Sequence, residues 1–183
     1  MPEKDIVQHC SPTLAGIKTG SLFLCSYESE AGLRRDITQW NTRLGTKGVR
    51  FAALRARNGK ALIYTYRVSR LKEALSNAEN ASFLAENGYP ADHLEECLAC
   101  LSERLSDQKN FPHEIGVFLG YPLDDIKAFI ANGGANCKCV GCWKVYSNEQ
   151  AAKKTFIKYK KCTQIYCRKY AAGVGVDRLT VAL

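Results

Sequence analysis

Apolar positions in this chain alternate between strand-like runs and helical stripes, and the changes of period mark its elements. Residues 21–27, SLFLCSY, form a continuous apolar run of strand length. After Ser29 the apolar residues are Leu33, Ile37, Trp40 and Leu44. That spacing places them on one stripe of a helix, with Ser29 as N-cap and Gly45 where a C-terminal glycine belongs. Two β-rich runs, 49–57 and 60–68, flank Asn58-Gly59, whose backbone preferences suit a two-residue hairpin turn. A helical pattern opens at Ser69 and runs to about Glu86, closed by Asn87-Gly88 and Pro90. A second helix is expected from about Ala91 to Ser106, striped by Leu94, Cys97, Leu98, Leu101 and Leu105. HEIGVFLG at 113–120 reads as another strand. Pro122, Asp124 and Asp125 suit the first turn of a helix, since proline needs no N–H partner there and acids favour the positive dipole end. Its inner face is Ile126, Phe129 and Ile130, and Gly133-Gly134 ends it. CWKVYS at 142–147 reads as a fifth strand. Asn148 then caps a long helix to about Tyr170, with Phe156, Tyr159, Tyr166 and Tyr170 near one face.

This order predicts an α+β fold: a single domain over residues 1–183, built on a mainly antiparallel sheet of about five strands covered by helices. No repeat, low-complexity tract or linker interrupts it. No apolar run approaches the ~20 residues of a membrane span. The N-terminus lacks a basic stretch followed by an apolar one, so a cytoplasmic protein without a membrane partner is expected.

The cysteines change the picture. Nine in 183 residues, odd in number and irregular in spacing, point to reduced thiols rather than a disulfide framework. Such usage suits a strongly reducing or anaerobic cell. The densest stretch is NCKCVGCWKVY, where Cys137, Cys139 and Cys142 follow a glycine-containing loop able to wrap a metal. Structural zinc takes four ligands, and iron–sulfur clusters are also held by thiolates. Cys97 and Cys100, three apart on a predicted helix, offer the missing ligand. Cys97 also belongs to that helix's apolar stripe, which favours packing. Cys25 lies in a buried-looking strand, and Cys162 and Cys167 fall on different sides of the last helix.

Three blocks, HCSPTLAGIKTGSLF, HEIGVFLGYPLDDI and GCWKVYSNEQAAKKTFIKYKKCTQIYC, together resemble an uncharacterised domain-of-unknown-function family of anaerobic Firmicutes, mostly Clostridia and relatives. The resemblance implies a small cytoplasmic protein with no established activity, cofactor or partner. Separately, Cys10-Ser11-Pro12 reads as the opening of a short helix, where the dipole would favour a thiolate. HEIGVFLG is similar to the histidine-bearing strand of papain-like peptidases of the NlpC/P60 type. That likeness implies a cysteine hydrolase or acyltransferase with Cys10 as nucleophile and His113 as base. The short room for a helix after Cys10, and the lack of a third polar residue to orient His113, depart from that pattern.

Charge adds a third possibility. The net charge is +8, and Lys153, Lys154, Lys158, Lys160, Lys161, Arg168 and Lys169 decorate the last helix. A basic surface with interleaved tyrosines suits a nucleic-acid or protein interaction module. No recognition motif accompanies the charge, so an ordinary solvated face is the plainer expectation. Walker, GxGxxG, GxSxG and HExxH motifs are missing. The leading expectation is therefore a thiol-rich accessory or binding protein using cysteine for metal or redox chemistry.

Overall fold

The computed structural model describes residues 1–90, 93–107 and 111–183. Helix α1 spans Glu3–Leu14, with Glu3 and Asp5 at its positive dipole end and Ile6, Val7, Cys10 and Leu14 on its buried face. Strand β1, Gly20–Ser26, leads to α2, Glu30–Leu44, whose N-cap Ser29 accepts from the Gly32 amide. The helix does not stop at Gly45. A 3-10 turn, Gly45–Lys47, continues it, and Gly48 adopts the left-handed conformation that ends it. β2, Val49–Arg57, and β3, Lys60–Arg67, form the expected hairpin, with Asn58 and Gly59 both at positive φ. Type I′ geometry requires this, and it matches the twist of the strands.

The sheet is antiparallel in the order β1-β3-β2, so the hairpin's second strand is central. One face carries Phe23, Cys25, Phe51, Ala61 and Ile63 against Ile6, Val7, Cys10 and Leu14 of α1 and Leu33, Trp40 and Leu44 of α2. The other carries Tyr64 and Tyr66 against helices that follow the hairpin. These are α3, Val68–Ser76; α4, Ala78–Glu86; α5, Leu94–Ser106; and α6, Ile115–Leu119. The helical stretch expected from Ser69 to Glu86 is divided at Asn77, whose extended backbone and side-chain cap to the Glu79 and Asn80 amides start a new helix. Ala91, where the next helix was expected to begin, lies outside the described residues. α7, Leu123–Ala131, precedes a two-residue-per-strand ribbon of β4, Cys139–Val140, and β5, Lys144–Val145. α8, Glu149–Ala171, packs along α1, and α9, Val176–Leu179, closes the chain.

The α+β class stands. The five strands found among the described residues split into sheets of three and two. HEIGVFLG is a correction: its middle is the helix α6, not a strand. All five α6 residues are buried, so no polar position exposes a period. Gly116 lets α6 meet α7, since a Cβ there would lie 2.7 Å from Ile126, and Gly120 ends the helix at φ 74°. The Tyr64 hydroxyl donates to the Phe118 carbonyl at 2.5 Å, pinning α6 to the sheet.

The buried Arg67 closes the opposite layer. Its Nε donates to the Thr13 carbonyl at 2.7 Å and a terminal nitrogen to Lys47 at 2.7 Å, while the other terminal nitrogen reaches the Leu14 carbonyl. A cation thus satisfies the last carbonyls of α1, where the helix dipole is negative.

Candidate ligand cavity

The cysteine and histidine expected to act together are not brought together. Cys10 lies in the second half of α1 rather than at a helix start, so the dipole there opposes a thiolate. Its sulfur contacts Thr65 Oγ1 at 3.4 Å. Burial pushes its thiol up to about 12, outweighing that hydrogen bond and the charge of Lys18. Cys10 belongs to the core on the α1 face of the sheet, whereas the residues following His113 belong to the core on the other face. His113 is exposed, with Phe111 and Phe129 on either side at centroid separations of 5.5 and 4.8 Å. The papain-like pairing has no geometric basis here. Pro12 marks the end of α1 and not its start. It sits in the last turn of a helix whose buried stripe, Ile6, Cys10 and Leu14 at four-residue intervals, was legible upstream.

The metal expectation meets a similar outcome. Cys97 is buried in α5, its sulfur 3.2 Å from the Pro90 carbonyl, and the Cys100 sulfur faces Gly88. Cys137 and Cys139 are half-buried on the loop and ribbon, and Cys142 is exposed. Among the described residues, no three His, Cys, Asp or Glu side chains gather closely enough to hold a metal ion. Cys97 and Cys100 sit on α5, and Cys137, Cys139 and Cys142 on the loop and ribbon after α7. The Cys142 thiol is raised by burial of its groove-facing side, with Lys18 pulling the other way.

What the fold does assemble is an aromatic cavity of about 340 Å³ between α6, α7 and the β4–β5 ribbon. Ile115, Gly116 and Leu119 of α6 form one wall and Ile126 and Phe129 of α7 another. Trp143 and Tyr121 close it, their rings 5.0 Å apart. Trp143 is held from behind by Phe156 of α8, edge-on at 4.6 Å. Gly141 permits this, because a Cβ there would lie 2.2 Å from the Phe156 ring.

Asp125 fixes the ribbon to α7. Its buried carboxylate accepts from Trp143 Nε1 at 2.7 Å, from the Tyr146 amide at 2.8 Å and from the Ser147 amide at 2.7 Å. Burial pushes this carboxyl up, but the two amides and the indole outweigh it and hold it below 3.8. Lys144 donates to the Gly134 carbonyl at 2.7 Å and lies over Phe129, closing the loop onto the same helix. Local sequence marks Asp125 only as a helix-start acid. Its reach to the ribbon depends on a turn-back of the chain that no local pattern reveals.

Fold and cavity define a helix–sheet–helix α+β protein with an aromatic pocket beside a small ribbon. The chain belongs to the family described as protein of unknown function (DUF3793), whose model matches residues 6–180. No curated protein and no solved structure matches it. Among the described residues, no helix is long and apolar enough to cross a membrane.

Proposed function

We propose that this protein is a binding module for a small, planar, mostly apolar ligand that enters the cavity between α6, α7 and the β4–β5 ribbon. One observation carries this reading: the cavity is lined by five aromatic rings, and large apolar side chains stand exposed at its edge. Phe111 is 53% exposed and Val140 is 68% exposed, and both line it. Exposed apolar groups bordering an apolar cavity are stabilised by covering them. His113, exposed between Phe111 and Phe129, supplies a polar edge for one ligand hydrogen bond. The test uses nitrobenzene, a planar quencher with no emission of its own, on a Trp40→Phe protein whose remaining indole is Trp143. Saturable quenching is expected, and Val140→Asp should weaken it by about tenfold, since a charge at the rim must be desolvated. Quenching that rises linearly without saturation, or that is unchanged in Val140→Asp and Phe111→Ala, removes the reading.

The thiol-centred reading survives in narrower form, as chemistry at the accessible Cys142 with Cys137 and Cys139 nearby in sequence, within the reducing cytoplasm of an anaerobic Firmicute. The exposure of Cys142 supports it. Metal analysis of anaerobically purified protein against a Cys137/Cys139/Cys142→Ser variant tests the metal branch; equal metal content in both removes it.

A further inference from the structure

We propose that the groove between α1 and α8 binds a small oxyanion, the carboxylate or phosphate of a soluble ligand, using the positive charge of Lys18. Among the described residues the buried or half-buried basic side chains are Lys18, Arg43, Lys47, Arg67, Arg70, Arg104 and Lys144. Arg43 meets Glu3 at 2.8 Å as well as Asp177, and Arg104 meets Glu114 at 3.2 Å. Lys47, Arg67 and Lys144 donate to backbone carbonyls. Lys18 and Arg70 have neither a carboxylate nor a hydrogen-bond acceptor among the described residues. Arg70 Nε is fully buried without a partner.

Burial lowers the pKa of the Lys18 ammonium, a cost that an anion in the groove offsets. Of the two, Lys18 faces the groove. The Lys18 ammonium lies over the Tyr159 ring at 5.9 Å and the Tyr121 ring at 5.7 Å. The groove beside it has a volume of about 490 Å³ and is lined by Lys18, His9, Lys160, Thr163 and Gln164, groups that donate hydrogen bonds to an oxyanion. Cys142 also faces it, but burial keeps its thiol protonated near neutrality, so it does not neutralise Lys18. Two aromatic rings beside the lysine stem hold the ammonium in place without supplying a negative charge.

The test is a titration of the full chain with inorganic phosphate and, in a second arm, with succinate, at ionic strength matched by chloride. The reporter is the lysine ε-methylene NMR signal. Lys18 should be resolved from exposed lysines by the ring currents of Tyr121 and Tyr159. A saturable shift of that signal, with exposed lysine signals still, is the expected result, and the tighter arm identifies the head group. Lys18→Met keeps the stem on its rings and should lower affinity by at least about tenfold, the effect of losing one charge-assisted hydrogen bond. In that variant binding is followed by the Gln164 side-chain amide signal. Lys18→Arg keeps the charge and should retain binding. The proposal is overturned if neither anion gives a saturable shift, if all lysines shift together as in nonspecific screening, or if Lys18→Met binds as tightly as the parent.

Discussion

At the scale of single residues, burial and pairing decide what each titratable group can do. Cys10 and Cys142 contain the same thiol in opposite settings. Cys10 is 0% exposed and its thiol stands at about 12, while Cys142 is exposed. Alkylation of the native protein with iodoacetamide at pH 8 should therefore label Cys142 and leave Cys10 unmodified until denaturant is added; mass spectrometry of the peptides checks this. Early labelling at Cys10 would mean that α1 opens locally. Asp125 gives a pH dependence of definite sign. Its folded carboxyl ionises more readily than an unfolded one, so it adds stability that is complete above 3.8 and is lost as pH falls through its lower folded value. Asp125→Asn should cost about 1–3 kcal/mol at pH 7, since two amides and an indole lose a charged acceptor. Urea melts of both proteins should show that difference shrinking as the pH is lowered below 3.8.

At the scale of elements, the well-read ones are those whose signals are local. The Asn58-Gly59 hairpin, the Ser29 and Asn148 caps and the long α8 all formed where their residues required. Each rests on hydrogen bonds or turn geometry within a few residues. α6 and the start of α1 were misread for a shared reason. Proline and glycine in Cys10-Ser11-Pro12 and HEIGVFLG punctuate the chain but do not say which side of them a helix occupies. Packing chose: α6 is helical because its five residues are enclosed by α7 and the sheet. The end of α1 depends on a residue far along the chain. Arg67→Met should lower stability by about 3 kcal/mol or more, because it leaves the Thr13, Leu14 and Lys47 carbonyls buried without their donor. Chemical denaturation measures the loss, and an Arg67→Met protein as stable as the parent would show that water can replace the guanidinium.

At the scale of the whole molecule, the central sheet separates two cores and with them the residues that looked paired. Cys10 ends in one core, and His113 stands at the edge of the other beside the aromatic cavity. α8 carries seven basic residues and one acidic, so most of the net charge of +8 lies along one helix. Its Phe156, Tyr159 and Tyr166 turn toward the body of the protein while the lysines face water. What the amino-acid order determined by itself was the α+β class, the hairpin and the caps, because those follow from preferences expressed over a few neighbouring residues. The tertiary structure alone decided that Asp125 clamps the ribbon, that five rings enclose a cavity, and that Lys18 and Arg70 stand without counter-charges. Those outcomes depend on which distant groups share the same low-dielectric space, and that is set only when the layers pack.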